Sequence, residues 1–159
     1  MFDADRGEPM SVQSLLEEIR AEANLEGITL LGGEPFEQAM ALAELASEAR
    51  RGGLSVMTFT GYTLEALRAR TTRDTAALLE ATDVLVDGPF DNRSPGSAYR
   101  WLGSQNQRLH FLSNRYEDGP VFRGSNTVEL RLTSAGLDVV GWAPAVLRFE
   151  RGTRRGPSS

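Results

Sequence analysis

The chain has 159 residues, of which 40% are hydrophobic and 25% are charged, so we expect one soluble globular domain with a sizeable core. Its formal net charge is −5 and all 17 basic residues are arginine, which argues against nucleic acid as a partner. There is no cysteine and a single histidine, His110, so these residues supply neither a disulfide, a thiolate ligand set nor a multi-histidine metal site.

Two helices and a strand are predicted in the first third of the chain. Ser11 can cap a helix over residues 11–23, in which apolar side chains recur at helical spacing. A short apolar strand follows at 28–31, and a second helix is predicted over 35–53, where two glycines end it. The apolar face of this second helix is predicted to consist of Phe36, Ala39, Met40, Ala43 and Ala46.

The alternation continues beyond the second helix. A strand at 54–59 precedes two broken helical segments, at 63–70 and 72–82, and a third buried strand lies within 83–90. We expect residues 1–145 to form the domain and residues 146–159 to form a disordered tail. Further candidate strands lie at 108–113, 127–133 and 137–142, of which the last two could pair through a turn at 134–136.

The strand-to-helix junction at residues 32–35 is the first candidate site. Alternating strands and helices predict an α/β fold of parallel strands, in which sites gather at the carboxyl ends of the strands. Gly32 and Gly33 let the main chain approach a bound molecule closely, and the carboxylate of Glu34 beside carbonyl oxygens can receive an ammonium group. The alternative is a tight turn that needs special backbone angles, and the spacing alone leaves both interpretations open.

Four motifs in series carry a family resemblance. They are GITLLGGEPFEQ (27–38), LSVMTFTGYTLEAL (54–67), ATDVLVDGPF (81–90) and LGSQNQRL (102–109). The series resembles the radical S-adenosylmethionine (AdoMet) activating enzymes, and most closely the small activases of the anaerobic ribonucleotide reductase and pyruvate formate-lyase type. The resemblance runs from about Asp3 to about Trp142 and implies a partial (β/α) barrel of the radical AdoMet type.

The resemblance also implies roles for the motif residues. Gly32, Gly33 and Glu34 are expected to hold the amino group of the methionine part of AdoMet, while Pro35 fixes the turn. Thr60 is expected to touch the ribose or adenine. Tyr62, two residues later, either joins Thr60 there or covers the start of a helix as a surface aromatic.

Two later residues complete the expected cofactor site. Asp87 is expected near the polar end of AdoMet, with a turn-starting role before Gly88 as the alternative. Arg108 is expected to pair either with the AdoMet carboxylate or with Asp87. Asp83, at the other end of the same strand, is interpreted as a helix-to-strand turn residue. Asn106 and Gln107 either lie near the cofactor or satisfy backbone groups in an irregular crossing.

The element that defines the family is absent from this sequence. Its members carry C-x-x-x-C-x-x-C in the loop after the first strand, where three thiolates bind a [4Fe–4S] cluster. In the family an acidic stretch much like residues 1–19 follows the last of these cysteines, so Met1 falls just downstream of the expected motif. We expect the first strand and the cluster loop to be missing together, through a start codon placed too late rather than through a genuine cluster-free relative.

The implied function follows from this comparison of motifs. The full-length form is expected to cleave AdoMet reductively to a 5′-deoxyadenosyl radical and to generate a glycyl radical on a partner enzyme, with flavodoxin or ferredoxin as electron donor. The chain as given lacks the cluster and is expected to be inactive alone. The alternative is a cluster-free AdoMet-binding or protein-interaction module. No apolar run approaches a membrane span and residues 1–9 do not resemble a signal peptide, so we expect a cytoplasmic protein.

Overall fold

The computed structural model describes residues 9–95, 99–124, 128–133 and 136–141. Its helices are α1 (Val12–Ala21), α2 (Ala39–Arg51), α3 (Leu64–Ala69) and α4 (Arg73–Ala81), and a 3₁₀ turn at Pro35–Gln38 precedes α2. Its strands are β1 (Gly27–Leu30), β2 (Ser55–Phe59), β3 (Val84–Asp87), β4 (Arg108–Phe111), β5 (Val128–Thr133) and β6 (Gly136–Gly141). The expected tail at 146–159 lies outside the described residues.

Local capping sets where three of the helices begin. The hydroxyl oxygens of Ser11, Thr63 and Thr72 accept hydrogen bonds from backbone N–H groups three residues later, and each satisfies a donor that the helix leaves unpaired. The predicted helix starting after Ser11 and the two broken helical segments are therefore confirmed. The predicted second helix is also confirmed, except that its first turn, beginning at Pro35, is a 3₁₀ turn.

The sheet is mostly parallel. Its strand order is β1-β2-β3-β4; β2 is parallel to both β1 and β3, and β4 is antiparallel to β3. The expectation of parallel strands is thus right for the first three strands and wrong for β4. A parallel strand needs a crossover, usually through a helix, and the described part of 88–107 contains no helix.

A separate two-stranded ribbon follows. The strands β5 and β6 pair antiparallel with Val128 opposite Gly141 and Thr133 opposite Gly136, which confirms the predicted pairing. The residues between them, 134 and 135, lie outside the described part of the chain.

The core lies between the sheet and helices α1, α2 and α4. Its most deeply buried apolar side chains include Ala46, Val56, Leu67, Leu78 and Leu85. Met40 was predicted to lie on the buried face of α2, but it is 73% exposed. The face that is buried centres on Ala46 and Ala49, and at about 100° per residue Met40 lies on the far side of the helix.

The described helices do not include one with both the length and the apolar character that a membrane crossing requires.

Candidate functional site

The carboxyl ends of β1, β2 and β3 lie side by side and carry the motif residues. Thr60, just after β2, donates its N–H to the carbonyl of Val86 in β3 at 2.9 Å. Gly88, just after β3, donates its N–H to the carbonyl of Tyr62 at 2.9 Å. These main-chain bonds hold the segments after β2 and β3 together, as the parallel arrangement of the strands predicts.

The turn after β1 presents open main chain. Gly32 and Gly33 have φ values of +91° and +56°, a region that residues with a Cβ rarely adopt. A Cβ on Gly32 meets nothing within 4 Å, and on Gly33 it meets only the amide nitrogen of Gln38 at 3.8 Å. Among the hydrogen bonds of the described residues, none ends on the carbonyl oxygen of either glycine. The special backbone angles are confirmed, and the open carbonyl oxygens are available to a ligand.

The Glu34 carboxylate is held by the protein itself. Its Oε1 accepts hydrogen bonds from the N–H of Phe36 at 3.1 Å and from the hydroxyl of Thr60 at 2.8 Å. Its Oε2 accepts a hydrogen bond from the N–H of Gly61 at 2.9 Å. Glu34 therefore caps the 3₁₀ turn and at the same time ties the end of β1 to the end of β2.

Tyr62 covers the start of the helical crossover. Its hydroxyl donates to Glu37 Oε1 at 2.6 Å, and the guanidinium of Arg70 lies 3.9 Å from the centre of its ring. The hydrogen bonds from Tyr62 and then from Arg70 lower the pKa of Glu37. Of the two interpretations of Tyr62, these contacts support the surface aromatic.

Across β3 and β4, the buried Asp87 forms an ion pair with Arg108, whose side chain is 45% exposed. Asp87 is 0% exposed, and Arg108 Nε donates to its Oδ1 at 3.0 Å. The N–H of Leu64, the first residue of α3, donates to Oδ2 at 2.7 Å. Burial opposes ionisation, but the hydrogen bonds from Arg108 and Leu64 hold the pKa of Asp87 below its ordinary value of 3.8. Arg108 thus takes the second of its two expected partners, Asp87.

Sequence reasoning missed two members of this cluster. Arg108 also binds Glu65, with nitrogen–oxygen distances of 3.0 and 2.6 Å, and these bonds lower the pKa of Glu65 from 4.5 to about 2. His110 Nε2 lies 3.1 Å from Asp87 Oδ2 but makes no well-aligned hydrogen bond. Little in the sequence identifies Glu65 and His110 as members of this cluster. An acid in the first turn of a helix is common, and β4 is too short for its alternation of side chains to be distinctive.

The amide side chains of Asn106 and Gln107, which lie just before β4, form hydrogen bonds with backbone groups. Gln107 Oε1 accepts from the N–H groups of Gly103 and Ser104 at 2.7 and 3.2 Å, and its Nε2 donates to the carbonyl of Gly88 at 3.3 Å. Asn106 Nδ2 donates to the carbonyl of Pro89 at 2.5 Å. The interpretation in which these residues support an irregular crossing is therefore confirmed.

Asp83 lies at the opposite end of β3, as predicted. Its Oδ2 accepts from the N–H of Val56 at 2.9 Å and its Oδ1 accepts from the hydroxyl of Ser113 at 2.6 Å. The guanidinium of Arg50 is 3.3 Å from Oδ1. Asp83 joins the helix-to-strand turn to its neighbours and takes no part in the candidate site.

The two expected cofactor groups fit this chain differently. The open carbonyl oxygens of Gly32 and Gly33 suit the ammonium group of AdoMet, since a cationic amine needs acceptors at close range. A [4Fe–4S] cluster does not fit, because the sequence has no cysteine. Within the described ranges, no group of three or more histidine, aspartate or glutamate side chains could hold a metal ion instead.

The sequence of this chain is similar to those of known proteins. A family model described as "4Fe-4S single cluster domain" matches residues 2–110. Three curated relatives, from Pasteurella multocida, Vibrio cholerae and Salmonella typhimurium, are each named anaerobic ribonucleoside-triphosphate reductase-activating protein. They are 32%, 34% and 33% identical over 65%, 53% and 55% of this chain, respectively. The matched segments span 66%, 54% and 56% of the relatives' own lengths.

Proposed function

The chain belongs to the family of 4Fe-4S single cluster domains, and on this premise we propose that it is the AdoMet-binding part of an activase for an anaerobic ribonucleotide reductase. The names of its relatives support this target, which is a glycyl radical enzyme by the family resemblance. The observation that carries the proposal is the open double-glycine turn at Gly32–Gly33, at the carboxyl end of a parallel strand.

In this proposal the turn receives the ammonium group of AdoMet. The carbonyl oxygens of Gly32 and Gly33 accept its N–H groups, and the nearby negative charge of Glu34 favours the cation. Pro35 fixes the exit of the chain into the 3₁₀ turn. Asp87 and Arg108 hold the end of β3 and form one wall of the site. The sheet is proposed to be part of a radical AdoMet barrel.

AdoMet supplies a sulfonium whose reductive cleavage is the chemistry that the resemblance implies. The electron for that step has no source within these 159 residues, because they contain no thiolate ligand for a cluster. Activity therefore requires cluster cysteines from outside these residues, with flavodoxin or ferredoxin as the proposed electron donor.

The lack of cysteine favours a second candidate function. A chain that binds AdoMet without a cluster could act as a binding or regulatory module on the same reductase. Both candidate functions require that the Gly32–Gly33 turn binds AdoMet. They differ in whether the protein carries iron and sulfide when it is isolated without oxygen.

Calorimetric titration of AdoMet into the 159-residue chain tests the shared requirement. Gly32→Ala is expected to weaken AdoMet binding about tenfold, because the methyl group enters the space proposed for the ammonium group and the backbone leaves its left-handed angles. Gly53→Ala is the matched control: Gly53 has a φ of +90°, a Cβ there also meets nothing within 4 Å, and it precedes β2 at the opposite end of the sheet.

The control variant is expected to bind AdoMet as the wild type does. Equal affinities of the Gly32→Ala and Gly53→Ala proteins, or no binding by the wild type, contradict the proposed function.

A further inference from the structure

The hydrogen of the Thr60 hydroxyl is bound inside the protein. It donates to Glu34 Oε1 at 2.8 Å and accepts from the N–H of Tyr62 at 3.1 Å, and Thr60 is only 5% exposed. A hydroxyl has one hydrogen to donate, and here Glu34 takes it. Donation of a hydrogen bond from this hydroxyl to the ribose or adenine, with which the motif resemblance implies contact, therefore competes with a bond that the protein already makes.

Within the described part of the chain, three groups donate hydrogen bonds to Glu34, and Thr60 supplies the one side chain among them. The other two are the main-chain N–H groups of Phe36 and Gly61. A carboxylate offers about four acceptor positions, so most of its capacity is used and its orientation is set. A substitution at position 60 can loosen the carboxylate without removing either main-chain donor.

We propose that Thr60 is a positioning residue that acts through Glu34. Its hydroxyl locks the carboxylate between the ends of β1 and β2, and the carboxylate in turn holds the shape of the Gly32–Gly33 turn. This inference rests on the proposed function in that the ligand is the ammonium group of AdoMet. It adds a residue whose hydroxyl contributes to binding without touching the ligand.

A pair of substitutions separates the hydroxyl from the rest of the side chain. Thr60→Val keeps the shape and loses the hydroxyl, and it is expected to weaken AdoMet binding about tenfold, the scale of a hydrogen bond to a charged group. Thr60→Ser keeps the hydroxyl and is expected to restore the affinity to within about twofold of the wild type. A Thr60→Val protein that binds as tightly as the wild type overturns the proposal.

Repeating Thr60→Val in a protein that lacks the Glu34 carboxylate tests whether Thr60 acts on binding through Glu34. In a Glu34→Ala background, Thr60→Val is expected to change the dissociation constant by less than about twofold, because residues that act through one another are not additive. The same loss in both backgrounds overturns the proposal, since Thr60 then acts on the ligand directly or on the whole fold.

Amide hydrogen exchange gives a readout that needs no ligand. Thr60→Val is expected to speed exchange at Phe36 and Gly61, the two main-chain donors to Glu34. Thr58→Val is the matched control: Thr58 is on β2, is 0% exposed and bonds Thr82 at 2.9 Å.

The control substitution should leave the exchange of Phe36 and Gly61 unchanged. Unchanged exchange in Thr60→Val as well overturns the positioning role. If the wild type fails to bind AdoMet, the proposed function fails by itself, and the exchange experiment still decides whether Thr60 positions Glu34.

Discussion

Two buried aspartates pin the four-residue strand β3 at its two ends. Asp83 accepts from the N–H of Val56, and Asp87 accepts from the N–H of Leu64, so each carboxylate joins β3 to a neighbouring element. Both side chains are 0% exposed. Removing a partner from a buried carboxylate leaves its desolvation cost uncompensated, so we expect both positions to be sensitive to substitution.

Asp87 gives a prediction about acid stability. Its pKa is lower in the folded protein than the ordinary 3.8, so its stabilising contribution is present above that value and is lost as the pH falls towards the native pKa. The free energy of unfolding should therefore fall below about pH 4. Asp87→Asn should be less stable at pH 7 and should show a shallower acid decline.

Denaturant unfolding of both proteins at a series of pH values measures this difference. Some decline should persist in the variant, because Arg108 also lowers the pKa of Glu65 to about 2. Two stability curves that run parallel from neutral to acid pH would show that the charge of Asp87 is not stabilised by Arg108 and Leu64.

The sequence predicted which residues lie at the carboxyl ends of the strands better than it predicted their hydrogen-bond partners. Gly32 and Glu34 follow β1, Thr60 follows β2 and Asp87 ends β3, and the rule for parallel sheets places such residues at one edge. The bond between Thr60 and Glu34 joins positions 26 residues apart, and no local pattern encodes it. The pairing of Arg108 with Asp87 was anticipated only as one of two possibilities.

At the level of elements, helix α2 shows where periodicity succeeds and where it fails. The buried residues Ala39, Ala43 and Ala46 follow the predicted spacing. Met40 was assigned to the same face because it is apolar, and it is exposed instead. The direction of the buried face is set by packing against α1, α4 and the sheet, which the apolar pattern alone does not determine.

The difference between buried and exposed apolar side chains gives a prediction about stability. Leu78 in α4 is 0% exposed, and Leu78→Ala should lower the free energy of unfolding by about 2–5 kcal/mol through lost burial and a residual cavity. Met40→Ala, its control, should change the stability by less than about 0.5 kcal/mol, because exposed positions contribute little. Thermal or denaturant unfolding of the two variants makes the comparison; a large loss in Met40→Ala would mean that its side chain is buried in solution.

The sequence pattern also does not predict whether β4 runs parallel or antiparallel to β3. The run from Arg108 to Phe111 has the composition of a strand whether it pairs parallel or antiparallel. The direction depends on how the chain crosses from β3, and here the crossing is irregular and tied by the side chains of Asn106 and Gln107. Only the three-dimensional path shows that the strand returns antiparallel.

For the whole molecule, the order of motifs was more informative than any single motif. Four short segments in series indicated the family, and the family model covering residues 2–110 confirms membership of a 4Fe-4S single cluster domain family. These 159 residues contain no cysteine. The chain therefore belongs to a cluster-domain family but contains no thiolate ligand for a cluster within its 159 residues.

The last prediction follows from that combination. After anaerobic incubation with iron and sulfide and removal of unbound ions, the 159-residue chain should show no charge-transfer absorption and no stoichiometric iron or sulfide, because cluster ligation needs thiolates. Its sole histidine, His110, lies 3.1 Å from the buried Asp87, beside the pair that Asp87 forms with Arg108. A ferredoxin treated in parallel should regain its cluster and so validate the procedure. Iron and sulfide retained by the chain in a fixed ratio, with the matching absorption, would mean that ligands other than cysteine hold a cluster in this protein.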